Sequence, residues 1–203
     1  VTLSHSMASS AGGVYHVSIS GNDSYSCVQA QSTGTPRRTI NAGLECLAPG
    51  DTLEVGRGTY NEVVRILKSG QPGLPLTIQG RSAVVMPPPG AMSAFQMLNA
   101  APVGWIVIRG FEMNGVQGNE VGIHITGGVH DSLFEDNYIH DFTLHGIVGG
   151  GARVTINRNT IAHNGYPCDI SGPGNNACHG IYASGTDFRA INNVFFDNLS
   201  YGV

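Results

Sequence analysis

The amino-acid sequence predicts an all-β fold, a right-handed parallel β-helix with a short N-terminal capping α-helix. Four similar segments recur at intervals of 26, 22 and 34 residues, and the two shorter intervals fit one coil of such a solenoid. Within each segment apolar and polar residues alternate, and glycine-rich corners separate the short apolar stretches. Long stretches with a 3.6-residue apolar period are missing from the repeats, which argues against a helical solenoid.

Two ladders of apolar residues are predicted to point into the core from stacked parallel strands. Equivalent positions of the four segments give one ladder of Ile108, Phe134, Ile156 and Ala190, and a second of Met113, Ile139, Ile161 and Phe195. A third equivalent position, which Phe111 holds in the first coil, is occupied by Asn137, Asn159 and Asn193. Stacked amides can hydrogen-bond to one another along the axis, so we assign these asparagines a structural role.

The N-terminal region contains the predicted cap. Thr35 and Pro36 suggest an N-cap and a first helical residue, and residues 39–47 have one apolar helical face. Such a helix would cover the open apolar end of the stack. We expect residues 1–13 to be an N-terminal extension and residues 14–203 to be a single β-helix domain.

The repeats continue to the last residues without a second cap. An uncovered final coil would expose unpaired backbone groups and an apolar cross-section. We therefore expect further coils beyond Val203, or self-association at that end, to cover it.

Composition and cysteines indicate the compartment and the partners. The net charge is −4, so the sequence lacks the excess of basic residues that is typical of proteins that bind nucleic acid or an anionic membrane. No apolar run approaches the roughly 20 residues of a membrane span. Four cysteines suit two disulfides in an oxidising compartment, and local spacing favours the pairs Cys27–Cys46 and Cys168–Cys178 over crossed pairs or zinc. We predict a secreted protein, extracellular or periplasmic.

Several motifs resemble those of the pectin-lyase-like right-handed β-helix proteins. The opening motif is Thr35-Pro36, Thr39-Ile40, Ala42, 47–52, Gly58-Thr59-Tyr60 and Glu62, and the repeat motifs are His145-Gly146-Ile147 and His179-Gly180-Ile181. The resemblance covers about 14–203. It implies secretion and a polysaccharide partner, because that superfamily includes polysaccharide lyases, alginate epimerases and glycoside hydrolases, besides adhesins and phage parts. The Asp-Pro-His motif of the epimerases does not occur, and Lys68 is the only lysine, so no catalytic residue is carried over.

One column of polar residues could carry acid–base chemistry. Asp141, His163 and Asp197 follow the second apolar ladder at the same offset, and coils stack about 4.8 Å apart. His163 could then act as a general acid or base between two carboxylates that bind the substrate. The alternative is a solvated corner, since aspartate is a common turn residue.

Further candidates come from two other columns. His145 and His179 precede Gly-Ile in consecutive coils and are either catalytic imidazoles or turn residues bonded to backbone carbonyls. Arg109, as a catalytic cation, and Glu135, as a substrate ligand, could contact a glycan, or they could form a cross-strand ion pair. Calcium remains a possible cofactor, with the carboxylates of Asp131, Glu135, Asp136 and Asp141 as its ligands. No calcium-loop motif is present, and no cofactor is firmly implied.

Two functions from different classes fit this sequence. The leading hypothesis is a polysaccharide lyase or C5-epimerase that acts on uronate-containing polysaccharide. The alternative is a non-catalytic glycan-binding or adhesin-type β-helix. Whether the protein is an enzyme is left open by the sequence; a polysaccharide partner is expected, and neither nucleic acid nor a membrane is.

Overall fold

The computed structural model describes residues 12–98, 101–166, 178–200 and 202–203. Within them one short 3₁₀ turn spans Gln29–Gln31 and one α-helix, α1, spans Ile40–Glu45. The strands of the described residues are β1 (Val14–Val17), β2 (Thr52–Val55), β3 (Gly58–Tyr60), β4 (Val64–Arg65), β5 (Leu76–Val85), β6 (Ser93–Met97), β7 (Val103–Gly104), β8 (Ile106–Asn114), β9 (Val121–Glu135), β10 (Tyr138–His140), β11 (His145–Asn157), β12 (Thr160–Ala162), β13 (Ile181–Thr186), β14 (Arg189–Ile191) and β15 (Val194–Phe196).

The strands stack in parallel, coil upon coil. One series of neighbours runs β1-β2-β5-β8-β10-β12-β15, and a second runs β4-β6-β9-β11-β13. Every paired strand in both series is parallel to its neighbour. A chain that returns once per coil to the same edge of the same sheets is a parallel β-helix, so the predicted fold class is confirmed.

The predicted apolar ladders are in register. Met113 pairs with Ile139, Ile139 with Ile161, and Ile161 with Phe195. The other ladder is likewise continuous from Ile108 to Ala190. The first three members of each ladder are fully buried, whereas Ala190 is exposed and Phe195 is half-buried because both lie in the last coil.

Corners between the sheets are made by residues in the left-handed backbone conformation. In three consecutive coils the corners recur every five residues, with φ between 48° and 61°: Asp131, Asp136 and Asp141; Arg153, Arg158 and His163; Asp187, Asn192 and Asp197. Aspartate and asparagine adopt this conformation more readily than other non-glycine residues, which explains their frequency here. Each corner turns the chain sharply and leaves the following residue directed into the coil.

The predicted asparagine ladder follows one of these corners. The Asn159 Oδ1 atom accepts hydrogen bonds from the backbone N and from Nδ2 of Asn137, both at 3.0 Å. Asn193 Oδ1 accepts in the same way from Asn159, at 2.8 and 3.1 Å. Asn137 in turn accepts from the backbone N of Phe111, so the ladder begins at the second coil as predicted.

A second asparagine ladder follows the next corner and was not predicted. Asn164 Oδ1 accepts from the backbone N of Phe142 at 3.1 Å, and Asn198 Oδ1 accepts from Asn164 N and Nδ2 at 3.2 and 3.0 Å. Asn164 Nδ2 also donates to the carbonyl of Ile139. These bonds supply the partners that buried backbone groups need where the chain bends away from its neighbour.

The α-helix starts later than the sequence suggested. Its N-cap is Thr39, whose side chain accepts from Ala42 N, and not Thr35. Asp23 holds the backbone before it, because its carboxylate accepts from the N–H groups of Arg38 and Thr39 at 2.7 and 2.9 Å. Glu62, from the following coil, accepts from the first helical N–H at 2.7 Å. These tertiary contacts fix the start of the helix more strongly than proline at position 36 does.

Helix α1 packs on the first coil, where it contacts β1, β2 and β4. A side chain at Gly43 would lie 2.6 Å from Val17 and 2.7 Å from Leu53, so the approach requires glycine. The disulfide Cys27–Cys46 ties the preceding segment to the end of the helix, as predicted. Cys178 is also disulfide-bonded, but Cys168, its predicted partner, lies outside the described residues.

Replacing Asn159 by alanine is expected to destabilise the fold by about 2–3 kcal/mol, since it leaves buried donors and acceptors on both neighbouring coils unpaired. Urea unfolding followed by circular dichroism measures this change. The control is Asn61→Ala, which removes one exposed hydrogen bond to Met86 and should cost under about 1 kcal/mol. Equal losses in the two variants would contradict the structural role of the ladder.

Candidate functional site

The candidate site lies on the outer face of the sheet formed by β8, β10, β12 and β15. The inward ladder of Ile139 and Ile161 alternates here with outward side chains. Glu112, Tyr138 and Thr160 occupy one outward row in register across three coils. Corner columns flank the face on both sides, so charged side chains border it.

The structure brings Asp141, His163 and Asp197 together as predicted. His163 Nδ1 lies 3.8 Å from an Asp141 oxygen, and His163 Nε2 lies 3.3 Å from an Asp197 oxygen. All three are corner residues with positive φ, so the local backbone is that of a turn. They nevertheless line an open groove of about 670 Å³, together with Gly115, Val116, Gly118, Thr143 and Tyr166.

Two residues that the sequence analysis missed extend this column into a chain. His140 Nδ1 lies 2.7 Å from Asp141 Oδ2, and His140 Nε2 lies 3.3 Å from Glu112 Oε1. The His140 side chain is only 8% exposed, whereas that of His163 is 45% exposed. Three carboxylates and two imidazoles therefore alternate. The buried His140 lies between the exposed side chains of Glu112 and Asp141, and the series continues into the groove.

This acid–imidazole chain is suited to proton transfer. When His163 Nε2 carries a proton it can donate to Asp197, which leaves the lone pair on Nδ1. The 3.8 Å gap between Nδ1 and Asp141 is longer than a hydrogen bond, so the lone pair is available to a ligand. In its imidazolium form His140 can donate to both of its carboxylates and so fixes the orientation of Asp141.

A second groove adjoins the same face at the other corner column. It measures about 620 Å³, and its polar lining includes Glu112, Asp136, Tyr138, Arg158 and Thr160. Arg158 makes two 2.8 Å hydrogen bonds to the carboxylate of Asp136. The hydrogen bond from Arg158 holds the pKa of Asp136 below its ordinary value, so this pair stays charged.

Arg109 and Glu135 lie opposite each other on neighbouring strands, as the predicted stacking requires. Arg109 Nη1 is 3.9 Å from Glu135, and its Nη2 donates to Gln79 at 2.9 Å. Glu135 accepts a shorter bond, 2.8 Å, from Arg158. The geometry matches the cross-strand ion pair that was the alternative to glycan contact.

His145, the first residue of β11, and His179, two residues before β13, stack on one another. Their ring centroids are 5.8 Å apart, and Tyr182 stacks on both. Burial, together with the neighbouring His179 and His124, lowers the pKa of His145 to about 4. His145 is therefore neutral near neutral pH, and its Nδ1 accepts from the backbone N of His179 at 3.3 Å.

The carboxylates considered for calcium do not gather around one point. Asp131, Asp136 and Asp141 occupy three different corners of their coil. Asp131 is bound by Arg153 at 2.6 and 2.7 Å, and Glu135 and Asp136 are bound by Arg158. In the part of the chain that the structure describes, no group of three or more His, Cys, Asp or Glu side chains could hold a metal ion.

Comparisons with known proteins bear on the fold. Pectate lyase Pel9A has a TM-score of 0.65 and 18% identity, over 93% of this chain and 49% of that one. A rhamnogalacturonan lyase has a TM-score of 0.56 and 16% identity, over 88% and 51%. XylC, in complex with xylose, has a TM-score of 0.59 and 12% identity, over 91% and 62%.

These likenesses show the fold alone, because the identities are low. The chain spans between two fifths and two thirds of the lengths of the solved structures it matches. No family model matches the chain, and no curated protein matches it. Among the described residues no helix has the length and apolar character needed to cross a membrane.

The lowered pKa of His145 predicts a loss of stability in acid. Its folded-state pKa of about 4 lies below the ordinary value of 6.5, so the unfolded chain takes up the proton first as the pH falls. The contribution of His145 to the free energy of unfolding should be fully present above pH 6.5. It should fall by about 2–3 kcal/mol between pH 6.5 and pH 4.

Urea unfolding at pH 7 and pH 4.5 tests this effect in His145→Gln, whose unfolding free energy should depend less on pH than that of the wild type. Asn61→Ala, which removes no titratable group, is the control and should keep the wild-type pH dependence. An unchanged dependence in His145→Gln would contradict the assignment.

Proposed function

We propose that the protein is a secreted carbohydrate-active enzyme, a polysaccharide lyase or C5-epimerase that acts on uronate-containing polysaccharide in the groove around His163. The observation that carries the proposal is the alternating series Glu112–His140–Asp141–His163–Asp197, whose last three members line an open groove on a β-helix. Both reactions begin with removal of the proton at C5 of a uronate, which needs a positioned general base.

His163 is the residue assigned to that step. With Nε2 donating to Asp197, the Nδ1 lone pair takes the C5 proton. In a lyase the electron pair of the C5–H bond forms the C4–C5 double bond, and the C4–O bond breaks as the leaving oxygen takes a proton from water. In an epimerase a water molecule gives a proton to C5 on the opposite face. In both cases protonated His163 then returns its proton to the hydroxide so formed. Asp197 orients the His163 ring through its 3.3 Å contact with Nε2, and Asp141, held by the buried His140, lies 3.8 Å from Nδ1.

Secretion is supported by the disulfide, and a polysaccharide substrate by the fold. The Cys27–Cys46 disulfide suits an oxidising compartment. The solved structures that share the fold include a pectate lyase and a rhamnogalacturonan lyase, proteins named for polysaccharides. This analogy of fold supports a polysaccharide as substrate and leaves the reaction to be established at the site itself.

The alternative, a non-catalytic glycan-binding protein, is favoured by one observation. Tyr138, Tyr166 and Phe196 are all substantially exposed around the two grooves, with exposed fractions of 36%, 53% and 42%. Aromatic rings of this kind provide flat apolar surface with a polar edge, which suits sugar rings. A binder with this surface would retain glycan without turning it over.

Incubation with a panel of polymers separates these functions. Polygalacturonate, rhamnogalacturonan, alginate and neutral xylan are assayed for the ultraviolet absorbance of unsaturated products, for new reducing ends, and for deuterium at C5 in heavy water. A lyase gives absorbance, an epimerase gives only deuterium at C5, and a hydrolase gives reducing ends without either. Retention of a polymer on immobilised protein with none of these products supports the binding function instead.

The variant His163→Asn is expected to lower kcat by at least about 100-fold, because it removes the general base. Asparagine tolerates the positive φ of this corner, so circular dichroism and the melting temperature should be preserved. Asp187→Asn is the matched control, since Asp187 is also a corner residue with φ of 55°, and its kcat should equal that of the wild type. Full activity of His163→Asn would refute the assigned role.

A further inference from the structure

Tyr138 presents a fixed aromatic surface to the second groove. Its ring stacks on that of His140, with centroids 4.1 Å apart and planes 18° apart, so one ring face is covered. His140 is itself held between Glu112 and Asp141, which fixes the stack. Tyr138 lines the groove of about 620 Å³ and is 36% exposed, so the opposite side of its ring is available to a ligand.

Hydrogen-bonding groups border this aromatic surface. The side chains of Asp136 and Arg158 are 48% and 50% exposed, and that of Glu112 is 42% exposed. Arg158 uses Nε and Nη2 to bind Asp136 and Glu135. Within the described residues its Nη1 has no hydrogen-bond partner, so two N–H donors are left for ligand hydroxyls. Carboxylate oxygens beside it can accept from the same hydroxyls.

The charges of this groove disfavour an anionic ligand. Its lining carries the two carboxylates of Glu112 and Asp136 and the one guanidinium group of Arg158, which leaves a net charge of −1. Arg158 is already paired with Asp136 and Glu135, so a sugar carboxylate would have to compete with them.

We infer that the groove beside Tyr138 is a binding site for an uncharged sugar ring of the glycan chain. The ring would stack on Tyr138, and its hydroxyls would bond to Asp136 and Arg158. This inference rests on the proposed function and narrows its substrate. Asp136 and Asp141 are five residues apart, which is at most roughly 16 Å along the chain, and a glycan of a few sugar rings is long enough to reach both grooves. The substrate is therefore a mixed polymer, with a uronate at His163 and a neutral sugar at Tyr138.

Binding of three tetrasaccharides to the full chain tests the inference by two-dimensional NMR. The probes are made of galactose alone, of galacturonic acid alone, and of alternating rhamnose and galacturonic acid. The galactose and mixed probes should shift the signals of Tyr138, Arg158 and Thr160, and the galacturonic acid probe should bind there at least tenfold more weakly. Equal or tighter binding of that acidic probe at Tyr138 would overturn the inference.

Variants at Tyr138 provide an independent test. Tyr138→Thr introduces the residue that occupies the equivalent position of the next coil, Thr160, so the fold should be kept. It should weaken binding of the mixed probe at least tenfold, whereas Tyr138→Phe keeps the ring and should stay within about twofold of the wild type. Tyr182→Ala, at an exposed tyrosine on another strand, is the control and should bind normally.

Turnover measured on the same samples separates this inference from the proposed function. Normal KM and turnover of a mixed polymer by Tyr138→Thr would refute the sugar site and leave the enzymatic assignment intact. Binding of the mixed probe at Tyr138 without turnover of any polymer would support the sugar site and refute the enzymatic assignment.

Discussion

Hydrogen bonds between asparagine side chains of successive coils hold the corners on which the rest of the structure depends. At each corner one residue in the left-handed conformation turns the backbone away from its neighbour, which interrupts regular strand pairing. Asn159 and Asn164 restore the lost partners, because each accepts from the preceding coil and donates to the following one. Without them, buried backbone groups would be left unpaired. The apolar ladders supply most of the buried area, and the asparagines fix where each coil bends.

The same corners set out the charged side chains of the surface. Columns of equivalent corner residues join Asp131 to Arg153 and Asp136 to Arg158 as ion pairs. The third column has His163 where the other two have arginine. Arginine keeps its proton at any physiological pH, whereas histidine exchanges its proton near neutrality. At the third corner histidine thus takes the place that arginine has at the other two. A side chain that can transfer a proton there replaces a permanently charged one, and it lines an open groove.

The sequence predicted the parts of this fold that recur at equivalent positions of successive coils. The apolar ladders and the first asparagine ladder follow from alignment of the repeats, and the strand register and the hydrogen bonds confirm them. The predicted start of helix α1 was wrong because Asp23 and Glu62, which are distant in the chain, bind the N–H groups of Thr39 and Ile40. His140 was missed because it contacts Glu112 diagonally: Glu112 of the preceding coil is aligned with Tyr138, two residues before His140. Alignment of the repeats reveals only residues at equivalent positions. The column at His163 was found because its three members share one offset from the apolar ladder.

A crystal structure of Asn164→Ala tests most directly whether the asparagine behind the corner positions His163. Asn164 is fully buried and bonds to Phe142, Ile139 and Asn198. Loss of the Asn164 amide is expected to displace the corner, so that the 3.3 Å contact between His163 and Asp197 is broken while the ladder of apolar residues stays in register. A variant structure that keeps His163 between Asp141 and Asp197 would show that Asn164 does not position His163.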